Sequence, residues 1–330
     1  MATAPVSNID VNVVPLADVK LARLEDLFDR QCDEWFSLLR WDYTGPSRLI
    51  RNVAREGELT GFAASVNGDV VGFAFYVIEG SRCSVGDIYV AEAWRGRGVD
   101  RRLTLSILEH IEKVPRVRRV ESQCLSIGND GIDELFVSRG FERFNRQYLM
   151  INLDSPSQSS RRPQPVSGKA RSLPDVVIRP WSDSDFSRAA QVIHASYVGQ
   201  HDSKINAQYR TEPGCVELMS ILTDTLWCGK FLPEKSKTVI DRSSGNLIGV
   251  LIASKIANRA GHIGQISIAP AVQGCGLGRR LIEATLGNFR ESGFETTSLA
   301  VTKENFRALH LYQSCGFRLV HSFPVFFHGW

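Results

Sequence analysis

The sequence predicts a mixed α/β fold that is built twice within one chain of 330 residues. Helical and strand patterns alternate in the same order in both halves. Segments 86–103 and 264–281 are identical at nine of eighteen positions without a gap. Their offset of 178 residues (264 minus 86) indicates duplicated domains, because solenoid repeats run about 20–50 residues.

The predicted domain boundaries follow the composition of the chain. Residues 155–174, "SPSQSSRRPQPVSGKARSLP", are rich in Ser and Pro and nearly free of large apolar side chains. Such a stretch buries too little surface to offset the entropy lost on ordering. We therefore predict a first domain at 1–153, a flexible linker at 154–175 and a second domain at 176–330.

The first domain opens with a helical pattern at 18–39, where apolar residues recur every three or four positions. Two further segments have counterparts in the second domain. "GDVVGFAFY" (68–76) parallels "GNLIGVLIA" (245–253), and "NDGIDELFVSRGF" (129–141) parallels "NFRALHLYQSCGF" (305–317). The apolar framework of one domain is thus repeated in the other.

The second domain begins with a strand and then a helix, whose start resembles a capping box formed by Ser182 and Asp185. A hairpin follows at 238–254 and a strand at 261–270. An amphipathic helix is predicted next, with Gly293 as its C-terminal cap. The predicted buried face of this helix consists of Leu281, Ile282, Leu286 and Phe289. The pattern ends with a strand (296–301), a short helix (305–317) and the last strands (318–329).

Bulk properties exclude several classes of protein. The net charge is +3, but four basic residues in 155–174 account for more than that, so the rest is near neutral and we predict no nucleic-acid partner. No apolar run approaches the roughly 20 residues of a membrane span, and the N-terminus lacks the features of a secretory signal. Seven scattered cysteines without a CxxC pair argue against disulfides and zinc. We predict a cytoplasmic protein without a metal.

The stretch "ISIAPAVQGCGLGRRLI" (266–282) indicates an anion site. A strand enters a loop with three glycines, and a helix starts at once. Glycines let successive backbone N–H groups converge, and the helix N-terminus adds its own unsatisfied N–H groups, with Arg279 and Arg280 nearby. The GK[ST] of a P-loop and the GxGxxG of a Rossmann fold are both missing. A pyrophosphate is the expected ligand.

The loop resembles the acetyl-CoA loop of the GNAT N-acetyltransferases, whose pattern Q/R-x-x-G-x-G/A is filled by Gln273, Gly276 and Gly278. A second motif of that family, N-x-x-A-x-x-L-Y-x-x-x-G-F, begins at Asn305 and includes Tyr312. The resemblance covers most of the chain outside the linker. It implies two tandem acyl-CoA N-acyltransferase domains and direct acetyl transfer from acetyl-CoA to an amine in a ternary complex.

The resemblance also implies roles for particular residues. The strand would splay from its neighbour and bind pantetheine, with the Ile268 N–H polarising the thioester carbonyl. Asn305 would contact the cofactor arm, and Tyr312 would protonate the departing thiolate. The implied cofactor-binding residues are Ile266, Ser267, Ile268, Gln273, Gly274, Cys275, Gly276, Leu277, Gly278, Arg279, Asn305 and Tyr312.

The general base and the acceptor are left open. His262 stands near the position where the family often has Glu, and either deprotonates the amine or only holds the strand start. His201 and Asp202 lie where the family places acceptor contacts, or in a solvated loop. Tyr197, Tyr209, Trp227 and Phe231 suit a cationic amine or an ordinary helix pair. Small-molecule and peptide amines fit equally, and the oligomeric state is not indicated.

The first copy departs from the motif at three functional positions. Asp100 replaces Gly278 and would compete with a pyrophosphate for the same N–H groups. Phe136 replaces Tyr312, and Ser84 replaces His262. We expect a folded but catalytically inactive domain that supports the second or helps to shape its acceptor site. The alternative is that Arg95, Gly96, Arg97 and Gly98 still hold CoA weakly.

Two other functions fit the same residues. One is a non-enzymatic CoA-binding or scaffold protein, in which both domains are interaction modules. The other is an acyltransferase that uses a longer acyl-CoA or an amino-sugar acceptor.

Overall fold

The computed structural model describes residues 10–123, 131–154 and 174–329. The predicted linker at 154–175 therefore lies almost wholly outside the described residues. The chain divides into two compact units. Unit 1 comprises Pro46–Asn145 with segments 1–36 and 323–330, and unit 2 comprises Arg146–Ser322 with Ser37–Gly45.

Unit 1 is a sheet with helices. Its strands pair in the order β1-β2-β3-β4-β5-β13, antiparallel except for the parallel pair β4–β5. The elements are β1 (Asn12–Pro15), α1 (Glu25–Leu39), α2 (Thr44–Arg55), β2 (Gly61–Val66), β3 (Asp69–Glu79), β4 (Arg82–Val90), α3 (Val99–Ile111), β5 (Arg119–Ser122), α4 (Ile132–Ser138) and the end of β13 (Arg318–Gly329).

Unit 2 repeats this plan in the order β6-β12-β11-β10-β9-β7, with β8 also paired to β10. Only β11 and β12 are parallel. The elements are the end of β6 (Glu142–Asn152), β7 (Val176–Pro180), α5 (Phe186–Tyr197), α6 (Asp202–Ile205), α7 (Glu212–Asp224), β8 (Lys230–Phe231), β9 (Lys237–Asp241), β10 (Leu247–Ala257), β11 (Ala260–Ile268), α8 (Leu277–Glu291), β12 (Thr296–Thr302) and α9 (Phe306–Ser314).

The predicted boundaries at 153 and 176 need a correction. In unit 2, β12 pairs with the end of β6, from Thr296 opposite Asn152 to Thr302 opposite Arg146. In unit 1, β5 pairs with the end of β13, from Phe326 to Gly329. The last strand of each half of the sequence thus completes the sheet of the other unit. Strand patterning reports which face is buried but not which strand is the partner, so the sequence could not reveal this exchange.

Several local predictions are confirmed. The capping box of Ser182 and Asp185 is present, and Gly293 follows α8 with a φ of +75°. The four residues predicted to face inward from α8 are all buried. They pack with β11 and β12 in a core that continues to Tyr312. Among the described residues, no helix is long and apolar enough to cross a membrane.

Candidate functional site

The loop between β11 and α8 holds its glycines in left-handed conformations. Gly274 and Gly276 have φ values of +84° and +85°, which other residues adopt only with strain. Gly276 is the N-cap of α8 and contributes no side-chain cap, and a Cβ built on it would meet nothing within 4 Å. The first N–H groups of this 15-residue helix are therefore available to an anion.

Strand β11 parts from β12 halfway along its length. The two strands pair over four residues each and stop at Ile263 and Leu299, whereas β11 continues beside β10 to Ile268. Residues 264–268 thus present one row of backbone N–H and C=O groups to the gap. This is the splay that the sequence predicts.

A cavity of about 480 Å³ lies against the loop, the gap and α9, within the range of small-molecule sites. Eleven predicted residues line it: Ile266, Ser267, Ile268, Gln273, Gly274, Gly276, Leu277, Gly278, Arg279, Asn305 and Tyr312. Two other predicted residues, Cys275 and His262, do not line the cavity. The sequence motif therefore assembles at a single site, apart from these two.

The side chain of Gln273 fastens the loop to the end of β11. Its Nε2 donates to the Ile268 carbonyl oxygen at 2.9 Å, and its Oε1 accepts from Arg307 Nη1, also at 2.9 Å. Arg279 donates to the Ser314 hydroxyl at 2.5 Å. Arg307 is a cavity-lining cation that the sequence analysis missed, because its only signal was its place two residues after the motif residue Asn305.

Tyr312 reaches the cavity from α9, whose N-cap is Asn305. The Oδ1 of Asn305 accepts the Ala308 N–H at 3.2 Å. The Tyr312 side chain is only 7% exposed. Burial raises the pKa of its phenol, and the electrostatic influence of Tyr197 and Asp202 raises it further. A phenol that stays protonated at neutral pH is suited to donate a proton.

His262 lies behind the cavity and does not line it. Its ring is 6% exposed, its Nδ1 is 3.0 Å from the Ser298 hydroxyl, and it packs on Trp41 with ring centroids 4.9 Å apart. Burial and the nearby charge of Arg146 lower the pKa of His262 to about 3. This placement contradicts the expectation that His262 is the general base, because a base must reach the amine and accept its proton near neutral pH.

A hydrogen-bond network centred on Gln265 includes two residues that line the cavity, Tyr197 and Ser267. The Gln265 Nε2 donates to the hydroxyls of Tyr197 at 3.2 Å and Ser267 at 2.9 Å, and its Oε1 accepts from Tyr209 at 3.0 Å. The rings of Tyr197 and Tyr209 stack with centroids 3.8 Å apart. Burial raises the pKa of Tyr197 to about 12. Both tyrosines that the sequence left undecided therefore belong to this network, and Tyr197 lines the cavity.

Asp202 lies in α6 and not in a solvated loop. Its carboxylate is 6% exposed and accepts the Thr302 hydroxyl at 2.5 Å. By contrast, Trp227 is 40% exposed. The structure describes no group of three or more His, Cys, Asp or Glu side chains that could hold a metal ion within 10–123, 131–154 and 174–329.

The equivalent loop of unit 1 carries charged side chains at two of the positions that the motif uses. Asp100 is 3% exposed, and its Oδ1 accepts the Arg101 N–H at 2.8 Å, within the first turn of α3. Arg95 pairs with Glu34 at 2.5 Å, and Glu34 also accepts the Tyr89 hydroxyl at 2.8 Å. The residue equivalent to Gly278 is thus a carboxylate, Asp100. The residue equivalent to Gln273 is Arg95, which forms an ion pair.

Phe136, which stands where unit 2 has Tyr312, is a packing residue. It is fully buried and stacks on Phe326 with ring centroids 4.3 Å apart and planes 12° apart. Its other aromatic neighbour, Phe141, lies 5.0 Å away. A proton donor is therefore replaced by a core side chain.

Comparison with known proteins identifies two matching regions. The profile of the acetyltransferase (GNAT) family matches residues 21–141 and 205–317. Mycothiol acetyltransferases of Propionibacterium freudenreichii and Tsukamurella paurometabola are 31% identical over 80 residues and 35% over 92 residues. These matches cover 23% and 27% of this chain but only 26% and 31% of the relatives' own lengths.

Solved structures share the fold over nearly the whole chain. A GCN5-related N-acetyltransferase from Sphaerobacter thermophilus superimposes with a TM-score of 0.63, at 16% identity, over 99% of this chain and 97% of its own. A tandem GNAT protein from the clavulanic acid biosynthesis pathway gives 0.54, at 14% identity, over 97% and 98%. A fungal glucosamine N-acetyltransferase region gives 0.60, at 14% identity, over 97% of this chain and 38% of that one.

Proposed function

Because the chain belongs to the GNAT family of acetyltransferases, we propose that unit 2 transfers the acetyl group of acetyl-CoA to an amine in a ternary complex. One observation carries the proposal. An uncapped helix N-terminus, an unpaired strand edge and a buried phenol all open onto one cavity. These are the features needed to hold a pyrophosphate, bind an amide-containing arm and protonate a leaving thiolate.

The residues present fit the co-substrate. The N–H groups from Gln273 to Arg279 and the start of α8 would bind the pyrophosphate, since they combine unsatisfied donors with the positive end of the helix dipole. Arg307 adds a positive charge at the same wall. The edge of β11 would pair with the amide groups of pantetheine, as a further strand would.

The reaction would proceed by direct attack. The backbone N–H of Ile268 would polarise the thioester carbonyl and stabilise the oxyanion. The amine nitrogen forms a bond to the carbonyl carbon, the carbon–sulfur bond breaks, and Tyr312 gives its proton to the sulfur. The nitrogen releases one proton to solvent and the Tyr312 phenolate regains one from solvent, so the net change is one proton moved from nitrogen to sulfur. Cys275 does not line the cavity, which favours this route over a covalent acetyl-cysteine intermediate.

The acceptor is proposed only as an amine. Similarity to mycothiol acetyltransferases over about a quarter of the chain and the fold shared with a glucosamine N-acetyltransferase region make amino sugars worth testing first. Peptide amines, polyamines and aminoglycosides complete the panel. Propionyl-CoA and longer acyl-CoA donors would be compared with acetyl-CoA on the same panel.

For unit 1 we propose a non-catalytic role. Asp100 occupies the helix start, Arg95 is paired with Glu34, and the phenol of Tyr312 has no counterpart at Phe136. These three features together remove anion binding and acid catalysis.

The proposal is tested by calorimetric titration with acetyl-CoA, followed by thiol release with glucosamine, glycylglycine, spermidine and kanamycin. We expect one binding site per chain and amine-dependent thiol release. Two sites would overturn the proposed inactivity of unit 1. Binding without amine-stimulated thiol release would support a CoA-binding scaffold instead.

A further inference from the structure

Several polar side chains beside the cavity have no role in the mechanism above. Gln265 and Ser267 are both 4% exposed and, being two residues apart, lie on the same face of β11. Ser267 also lines the cavity, together with Ser196 and Tyr197 from α5. Buried polar groups are costly unless they are hydrogen-bonded, so the bonds that these side chains make show what they can still offer to a ligand.

Tyr197 keeps a proton that the hydrogen-bond network does not use. Its oxygen accepts Gln265 Nε2 at 3.2 Å, and Gln265 Oε1 in turn accepts the Tyr209 hydroxyl at 3.0 Å. Among the hydrogen bonds of the described residues, none is donated by the Tyr197 hydroxyl. Burial raises the pKa of this phenol to about 12, so its proton stays in place at neutral pH. Tyr197 is therefore left with an O–H donor for a ligand.

The Ser267 hydroxyl can act as donor or acceptor. Its oxygen accepts Gln265 Nε2 at 2.9 Å and lies 3.0 Å from the Ser196 hydroxyl. Ser196 has a closer partner, the Ile193 carbonyl oxygen at 2.8 Å, and a hydroxyl has only one proton to donate. When that proton goes to Ile193, the Ser267 proton can turn towards Ser196 or towards the cavity. A ligand hydroxyl fits such partners, because it also donates and accepts.

These hydroxyls lie beside the proposed reaction centre. Ser267 directly precedes Ile268, whose N–H is proposed to polarise the thioester carbonyl, and adjacent residues of a strand are about 3.3 Å apart. Tyr312, the proposed proton donor, lines the same cavity as Ser267 and Tyr197. An amine that attacks a carbonyl held at Ile268 would therefore bring its nearest substituents to this part of the wall.

The polar lining on the β11 and α5 side of the cavity is uncharged. Its side chains belong to Ser196, Tyr197, Gln200 and Ser267. The guanidinium groups of the cavity, Arg279 and Arg307, belong to α8 and α9, the side assigned to the pyrophosphate. A second ammonium group of an acceptor would find no carboxylate among the lining residues that the structure describes, and desolvation of an unpaired charge is costly. A hydroxyl group avoids this cost, because neutral partners replace its bonds to water.

We propose that the hydroxyls of Tyr197 and Ser267 bind a hydroxyl group of the acceptor, on the carbon next to the one that carries the amine. The acceptor class is then a 1,2-amino alcohol, which includes the 2-amino sugars. This inference rests on the proposed function and names the acceptor of the same site. Gln265 is a positioning residue, because its amide bonds both hydroxyls and is itself bonded to Tyr209.

The test uses two ring amines that differ by one hydroxyl, trans-2-aminocyclohexanol and cyclohexylamine. Thiol release from acetyl-CoA gives kcat/KM for each, calculated on the concentration of neutral amine because the two amines differ in pKa. We expect wild type to prefer the amino alcohol about tenfold, the effect of one or two neutral hydrogen bonds. Ser267→Ala and Tyr197→Phe should each reduce this preference to about twofold or less. Acetyl-CoA affinity and kcat/KM for cyclohexylamine should stay at the wild-type values.

Tyr148→Phe is the matched control. Tyr148 is another buried tyrosine of unit 2, its hydroxyl donates to that of Ser298 at 2.7 Å, and it does not line the cavity. Its removal should leave the preference for the amino alcohol unchanged. If Ser267 and Tyr197 had a structural role only, their variants would lose activity equally with both ring amines and keep the preference, and that result would overturn the inference.

Two further outcomes separate the inference from the proposed function. Equal or unmeasurable kcat/KM for the two ring amines in wild type, or faster thiol release with spermidine or glycylglycine than with glucosamine, would overturn the inference alone. A wild type that binds acetyl-CoA but releases no thiol with any of these amines would overturn the proposed function and the inference with it.

Discussion

Gly98 and Gly276 occupy equivalent positions, each as the N-cap of a long helix, with φ values of +77° and +85°. The loops before them are also fastened in the same way. Arg95 Nε donates to the Val90 carbonyl oxygen at 3.0 Å, and Gln273 Nε2 donates to that of Ile268 at 2.9 Å. The two loops therefore share a backbone design.

The two loops differ in the side chains that surround them. In unit 2 the loop opens onto a cavity, whereas in unit 1 Asp100 uses its own carboxylate on the first turn of α3, and Glu34 holds Arg95 and Tyr89. A loop conformation set by glycines can thus be kept while a carboxylate takes one of the N–H groups that an anion would use. The fold depends on many apolar positions, but anion binding depends on a few positions in and beside this loop.

The strongest test of this comparison introduces the aspartate of unit 1, Asp100, at the equivalent position of unit 2, Gly278. In Gly278→Asp, a carboxylate would compete with the pyrophosphate for the first N–H groups of α8, and its Cβ would also press on Leu311 Cδ2 at 3.2 Å. Repulsion of a few kcal/mol at a partly desolvated site predicts a loss of acetyl-CoA affinity of at least about 100-fold. Calorimetry measures it directly.

Gly287→Asp supplies the matched control for that variant. It makes the same substitution in α8 but eleven residues after the N-cap Gly276, where a Cβ meets nothing within 4 Å. We expect near wild-type affinity, with some loss of helix stability. Equal losses in both variants would show that any charge on α8 is harmful, and the interpretation of Asp100 would fail.

The next test removes the proposed proton donor, the phenol of Tyr312. Tyr312→Phe gives unit 2 the ring that unit 1 has at Phe136. We expect kcat to fall about 100-fold while acetyl-CoA affinity stays unchanged, because the phenol acts on the leaving thiolate and not on the bound pyrophosphate. Single-turnover thiol release measures the chemical step. Unchanged turnover would remove Tyr312 from the acid role.

Much of this site follows from the sequence, and the exceptions have physical reasons. Glycine spacing and the motif that starts at Asn305 report backbone geometry, which is local, so eleven cavity residues were predicted. The burial of His262 depends on Trp41, which is over 200 residues away in the sequence and belongs to unit 2. The exchange of β6 and β13 is equally non-local, since two strands with similar patterns do not reveal their partners.

His262 offers a test of stability against pH that applies to unit 2 alone, because its counterpart in unit 1 is Ser84, which does not titrate in this range. Its pKa is about 3 in the folded protein and about 6.5 when unfolded. The unfolded chain therefore binds the extra proton, so stability is fully present above pH 6.5 and falls by about 1.4 kcal/mol per pH unit as the pH drops towards 3.

Urea unfolding at several pH values checks this dependence, with His262→Gln as the test variant and the exposed His310→Gln as the control. The stability difference between wild type and His262→Gln should be constant above pH 7 and shrink in acid. A difference that does not vary with pH would mean that His262 is accessible to protons in the folded state.

The smallest effect is expected from the reverse of the first test, Asp100→Gly. Removing this carboxylate from the first turn of α3 loses a favourable dipole interaction and adds a flexible residue, which together destabilise unit 1 by about 1 kcal/mol. No second acetyl-CoA site should appear, because Arg95 stays in its ion pair with Glu34, which also accepts the Tyr89 hydroxyl. Calorimetric stoichiometry decides the point. A rise from one site to two would mean that Asp100 alone keeps unit 1 from binding the co-substrate, and that the ion pair beside it yields readily to the ligand.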